Sequence, residues 1–140
     1  MQAFSQLLAE HPLVFLHLVT AFSALVIGGI VLWRRKGTFD HRLLGWTWVA
    51  LMASTAVASA FIRDYKAPNL FGFTPIHAFT LLVAFMLPRG IWYIRRGNIT
   101  GHRKTMRGLY TGACVIAGVF TLLPSRFLGR VLWQQWLGLA

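Results

Sequence analysis

RRKGTFDHR at residues 34–42 and RRGNITGHR at residues 95–103 decide how this chain reads. Each stretch opens on paired arginines, carries a glycine, closes on His-Arg, and separates one long apolar run from the next. A further histidine lies upstream of each at matched distance. His17 stands 24 residues before His41, and His77 stands 25 before His102. The chain therefore reads as two copies of one unit: an apolar helix with an early histidine, a basic turn, His-Arg, and a second apolar helix.

The runs on either side of the turns set the fold class. Residues 12–33 hold His17 as their only titratable side chain, residues 43–62 and 108–125 carry no charge, and residues 67–94 carry only Arg89. A membrane span needs about 20 mostly apolar residues, so four transmembrane helices are expected. The expected architecture is all-α: a single integral membrane domain over residues 1–140, formed as a four-helix transmembrane bundle of two tandem two-helix repeats, 12–62 and 74–125. A short amphipathic interfacial helix is expected in the tail, 126–140, where Leu128, Val131 and Leu132 alternate with Arg130, Gln134 and Gln135.

Composition agrees. The chain is 56% hydrophobic and 12% charged, where an ordinary soluble domain has about 25% charged residues. A net charge of +11 would suggest nucleic acid in a soluble protein. Here nine of the 14 Lys and Arg (34, 35, 36, 42, 95, 96, 103, 104 and 107) lie in or beside the two turns. That bias follows the positive-inside rule, not nucleic-acid binding. It places both turns in the cytoplasm of a bacterium, the loop 63–73 and both termini outside, and the chain as a multi-pass protein of the inner membrane. The first sixteen residues contain no Lys or Arg and no small-residue cleavage motif, so no cleaved leader is expected. The single cysteine, Cys114, excludes an intrachain disulfide.

Local signals place the helix ends. Residues 1–11 suggest a short interfacial helix or an extension of the first span, and Pro12 starts that span. His11 is given no role. Asp40 is the expected N-cap of the second span, Thr74 and Pro75 open the third, and Pro88 interrupts it. The fourth begins near His102, contains Gly108 and Gly112, and ends near Pro124.

Depth groups the histidines. At 1.5 Å per residue His17 lies about 25 Å from Arg34, and His77 roughly 27 Å from Arg95. His17 and His77 therefore share an outer level, while His41 and His102 open the rising helices at an inner level. Two imidazoles from facing helices at one depth form the ligand set of bis-His haem b. Such a site needs small residues against the ring and cations for its propionates. Ala24, Gly28, Gly108 and Gly112 offer the first, and Arg42, Arg103 or Arg89 the second. The plainer alternative makes His41 and His102 hydrated interfacial residues, and lets Arg89 snorkel to the inner surface. A copper or zinc site on His102 and Met106, one helical turn apart, ranks lower because no Cys/His cluster of structural-zinc spacing exists.

HPLVFLHLVTAF, GTFDHRLLGWTWVALM, FTPIHAFTLL, GHRKTMRGLY and AGVFTLLPSR, in this order, resemble a family of small bacterial membrane proteins known as domain of unknown function 2306. The resemblance covers roughly Pro12 to Arg126 and implies four helices; it implies no activity. By analogy of geometry alone the arrangement is similar to di-haem four-helix b-type cytochromes. The expected function is electron transfer between a membrane quinol and an acceptor through one or two haems. The rival is an accessory or assembly subunit of a larger membrane complex, whose histidines only pack helices. A proton-coupled transporter ranks third, because only three acidic residues exist, all at the ends or in loops.

Overall fold

The computed structural model describes residues 2–62, 77–123 and 126–138, and every regular element among them is helical. In chain order these are α1 (Gln2–Glu10), α2 (Pro12–Trp33), α3 (Phe39–Phe61), α4 (His77–Arg95), α5 (Ile99–Leu109), α6 (Ala117–Thr121) and α7 (Phe127–Arg130). A π-helical segment, Tyr110–Ile116, joins α5 to α6, and another, Val131–Trp136, follows α7. The loop 63–73, the Thr74–Pro75 helix start and Pro124 lie outside the described residues.

Three helices, α2, α3 and α4, are long and apolar enough to cross a membrane. The fourth apolar stretch is divided among α5, the π segment and α6. Its backbone stays right-handed helical through both junctions, with Tyr110 at φ −59°, ψ −50° and Ala117 at φ −62°, ψ −38°. Widening the turn without breaking it is what a π segment does to an α-helix.

α2 packs on α3, α3 on α4, and α4 on both α5 and the π segment. The π segment returns to α2 and closes the ring. α2 and α4 therefore oppose each other across one diagonal, and α3 and α5 across the other. Inside the ring lie Ala24, Trp48, Met52, Val83, Leu87, Leu109 and Cys114. The outward faces are apolar too: Phe22, Val26, Val57, Phe61, Leu81, Phe85 and Val119 are all exposed. Only 17% of each candidate span is buried within the protein. Such a surface suits hydrocarbon, where the helices satisfy their own backbone groups and the side chains need no water.

The basic turns cap the helices they join. Gly37 and Gly97 hold φ of +82° and +75°, a left-handed conformation that glycine alone adopts cheaply. Lys36 Nζ then reaches back to the carbonyls of Val31, Leu32 and Arg34 and neutralises the carbonyl end of α2. Two expected helix starts need correction. The N-cap of α3 is Thr38, whose Oγ1 accepts the His41 N–H at 3.2 Å. Asp40 instead sits in the first turn and pairs with Arg34 at 3.3 Å. α5 starts at Ile99, ahead of His102, because the Asn98 side chain accepts the Gly101 N–H at 2.8 Å.

The tail is shorter and less regular than the single helix expected there. α7 has four residues before the backbone widens into the π turn. The tail folds back onto the end of α6, with Trp133 Nε1 donating to the Leu122 carbonyl at 3.0 Å and Val131 buried.

Candidate functional site

Seven residues separate His17 from Ala24 and Ala24 from Val31 on α2; the same interval separates His41, Trp48 and Thr55 on α3. Two helical turns return a side chain to nearly the same face, so each set lies along one edge. The antiparallel pair is bonded across these edges. His17 Nδ1 donates to the Thr55 carbonyl at 3.0 Å, and Trp48 Nε1 to the Ala24 carbonyl at 3.0 Å.

The end of the ring that carries His17 and His77 is polar. Thr55 Oγ1 donates to Thr20 Oγ1 at 2.9 Å, and Thr20 Oγ1 points in turn to the carbonyls of Leu16 and His17. Ser59 and Thr80 share a hydrogen bond of 2.9 Å between α3 and α4. His77 Nε2 donates to the carbonyl of Ile62, the residue that ends α3, at 3.0 Å. Thr55, Ser59 and Ile62 form one stripe of α3, so this helix receives His17 from α2 and His77 from α4.

The opposite end repeats the device with α5 on α4. His102 Nδ1 donates to the Gly90 carbonyl at 2.8 Å. A Cβ at Gly90 would run into the Met106 side chain, so glycine lets α5 lie this close. His41 stands in the first turn of α3, at this same end. Its Nδ1 is buried without a hydrogen-bond partner, an arrangement that costs about 1–3 kcal/mol if nothing satisfies it. The same end gathers cations from elements distant in sequence. Arg107 and Arg103 on α5 lie near Lys36, and partial desolvation followed by these two neighbours draws the Lys36 amine below the ordinary lysine range.

The chain matches the family described as "Predicted membrane protein (DUF2306)" over residues 14–139. It belongs to that family. No curated protein and no solved structure matches it.

In this DUF2306 chain the four expected histidines lie on four different helices of the ring, His17 on the Thr55 carbonyl, His77 on that of Ile62 and His102 on that of Gly90, while Arg89 stands apart from them. Arg89 is exposed on the outward face of α4, with Nε and a terminal nitrogen on the Tyr93 hydroxyl at 3.0 and 2.8 Å. Its guanidinium sits 5.4 Å from the centre of the same ring, a cation–π contact one turn along the helix. Met106 lies against Gly90. Among the described residues, no three His, Cys, Asp or Glu side chains gather as a metal cage.

The small residues expected to face a flat ligand are used in packing. A Cβ at Gly28 would lie 2.5 Å from Trp48 Nε1 and 2.7 Å from the Tyr110 ring, and one at Gly112 would lie 3.0 Å from Leu82 Cδ2. Tyr110 donates its hydroxyl to the Leu25 carbonyl at 3.0 Å. Trp48 and Tyr110 are thus the interhelical anchors that sequence reasoning missed. The signal for Trp48 was present in its spacing from His41. Tyr110 gave none, because its reach to α2 depends on where the π segment begins.

Proposed function

We propose that this DUF2306 protein is a b-type cytochrome of the bacterial inner membrane, carrying electrons between quinol and an acceptor through bis-His haem. The observation that carries the reading is that His17 and His102 each give Nδ1–H to a backbone carbonyl of the neighbouring helix, keeping the Nε2 lone pair, in a ring that sets α2 opposite α4 and α3 opposite α5. Within this reading the chain crosses the membrane four times as two tandem repeats, and Gly37 and Gly97 play one role in the two cytoplasmic turns. Both termini lie outside.

The donor chemistry fits. A carbonyl only accepts, so His17 and His102 carry their proton on Nδ1 and keep the Nε2 lone pair. A ligating histidine characteristically gives its other N–H to such a carbonyl, which fixes the ring and raises its basicity. The buried, unpartnered His41 Nδ1 belongs to the same inner pair. Bound haem would supply a one-electron carrier whose potential follows its ligands and burial. The Thr55 and Gly90 carbonyls orient the rings, and the apolar outward faces keep water from the ring interior. Arg103, Lys36 and Arg107 lend the inner end positive potential. The test is the absorption spectrum of the purified full chain, oxidised and reduced. A b-type spectrum supports the reading, and a colourless protein from haem-replete cells overturns it.

Two observations favour a second reading, in which the chain is an accessory subunit of a membrane complex. His77 engages Nε2 with Ile62, and Gly28 is filled by Trp48 and Tyr110. Both are what histidines and glycines do when they only hold helices together. Copurification of further subunits with a haem-free chain is its signature.

A further inference from the structure

Lys36, Arg103 and Arg107 form the clearest group that the histidine chemistry leaves unexplained. They come from the turn between α2 and α3 and from successive turns of α5, and the fold sets them at one end of the ring. The π segment that continues α5 packs on α2, with the Tyr110 hydroxyl on the Leu25 carbonyl and its ring against Gly28, so the turn that follows α2 and the residues that precede Tyr110 share a level. Around them the side chains of Arg35, Arg42, Arg95 and Lys104 make no hydrogen bond or ion pair among the described residues, and neither do those of Arg103 and Arg107. The one carboxylate of this region, Asp40, is paired with Arg34. The N-termini of α3 and α5, capped by Thr38 and Asn98, open at the same end, and each adds the positive end of a helix dipole. Arg103 and Arg107 therefore present positive charge that no side chain among the described residues answers, beside a Lys36 amine that already holds the α2 carbonyls.

Its depth names the partner. Trp33, 93% exposed, and Trp92, beneath Arg96 at 5.5 Å, flank the same turns. Exposed indoles beside spans mark the headgroup level of a bilayer. Cations clustered at that level between helices meet lipid phosphates before any soluble partner.

We propose that Lys36, Arg103 and Arg107 form a binding site for the phosphate headgroup of an anionic phospholipid at the end of the ring where the basic turns lie. Phosphatidylglycerol supplies that headgroup. Lys36 holds the α2 carbonyl end with the same amine, so an occupied site joins the first basic turn to α5.

The experiment reconstitutes the full chain in nanodiscs of phosphatidylcholine alone or mixed with phosphatidylglycerol, and measures lipid retained by the protein. Phosphatidylglycerol should be enriched over its share of the mixture. Enrichment should fall roughly fivefold for each cation removed in Lys36→Gln, Arg103→Gln and Arg107→Gln, the equivalent of about 1 kcal/mol per charge. Arg130→Gln, in the tail, should change nothing. Equal enrichment in wild type and the triple variant overturns the site. If the triple variant does not fold, salt decides: wild-type enrichment that survives 1 M salt overturns it, because the screening length there is about 3 Å. Capture of polyglutamate without phosphatidylglycerol enrichment overturns it in favour of an acidic protein partner. Saturation by soluble glycerophosphate makes it a free-anion site and overturns the lipid assignment. His41→Ala/His102→Ala protein should keep the enrichment; its loss would return the cations to the histidine site.

Discussion

Trp48 donates its indole N–H to the Ala24 carbonyl at 3.0 Å, two helical turns from His41 on one helix and two from His17 on the other. This bond is the middle rung between the outer and inner histidine levels, and it sets the register of α2 on α3. A shift of one residue would break His17–Thr55 and Trp48–Ala24 together. Hydrogen bonds between membrane helices contribute only about 0.6 kcal/mol each on average. Their value here is therefore register more than strength, with Trp48 volume doing the rest.

Removing the donor and removing the ring should differ accordingly. Trp48→Phe should cost about 0.6 kcal/mol in a denaturation titration in mixed micelles. Trp48→Ala, which empties the notch above Gly28, should cost roughly 3–5 kcal/mol. Equal losses would mean that the indole N–H, not its packing, holds the pair.

Two glycines should respond in opposite ways to one added methyl. Gly28→Ala meets Trp48 Nε1 at 2.5 Å and should destabilise by about 1–3 kcal/mol. Gly45→Ala, with nothing within 4 Å, should be neutral or stabilise by up to about 1 kcal/mol, the helix-propensity difference. The same micelle titration measures both, and a tolerated Gly28→Ala would contradict the packing described.

The capping roles give an order of effects. Thr38→Ala removes the α3 cap and should cost about 1 kcal/mol. Asp40→Ala removes an exposed pair with Arg34 and should cost less, about 0.5 kcal/mol. Thermal unfolding of both variants in detergent tests the order; a larger loss for Asp40 would restore it as the cap.

Topology is read from reporter fusions. Fusions at Gly37 and Asn98 should report cytoplasm, and one after Ala140 the exterior. A cytoplasmic C-terminus would invert the outer and inner histidine levels.

The two levels separate a transmembrane electron path from a single-site binder. His17→Ala and His77→Ala should each remove the same component of the reduced spectrum. His41→Ala and His102→Ala should behave alike and remove a second, with its own midpoint potential. One haem per wild-type chain would leave only the outer pair, because a path across an apolar core of about 30 Å needs an intermediate stop.

The sequence by itself determined what lipid and charge impose locally. Long uncharged runs become helices, since an unpaired backbone group in hydrocarbon is too costly for anything else. Gly37 and Gly97 had to turn the chain between such runs. The tertiary structure decided what depends on register and on contacts between distant segments. Which nitrogen of His17, His77 and His102 is engaged follows from the carbonyl opposite each ring. That Trp48 and Tyr110 fill the notch at Gly28 follows from helix separation and from the π segment, neither of which periodicity encodes. Thr38 displaces Asp40 as cap because capping depends on backbone angles as well as residue type. Lys36 meets Arg103 and Arg107 only because the ring closes, and closure is a property of four packed surfaces at once.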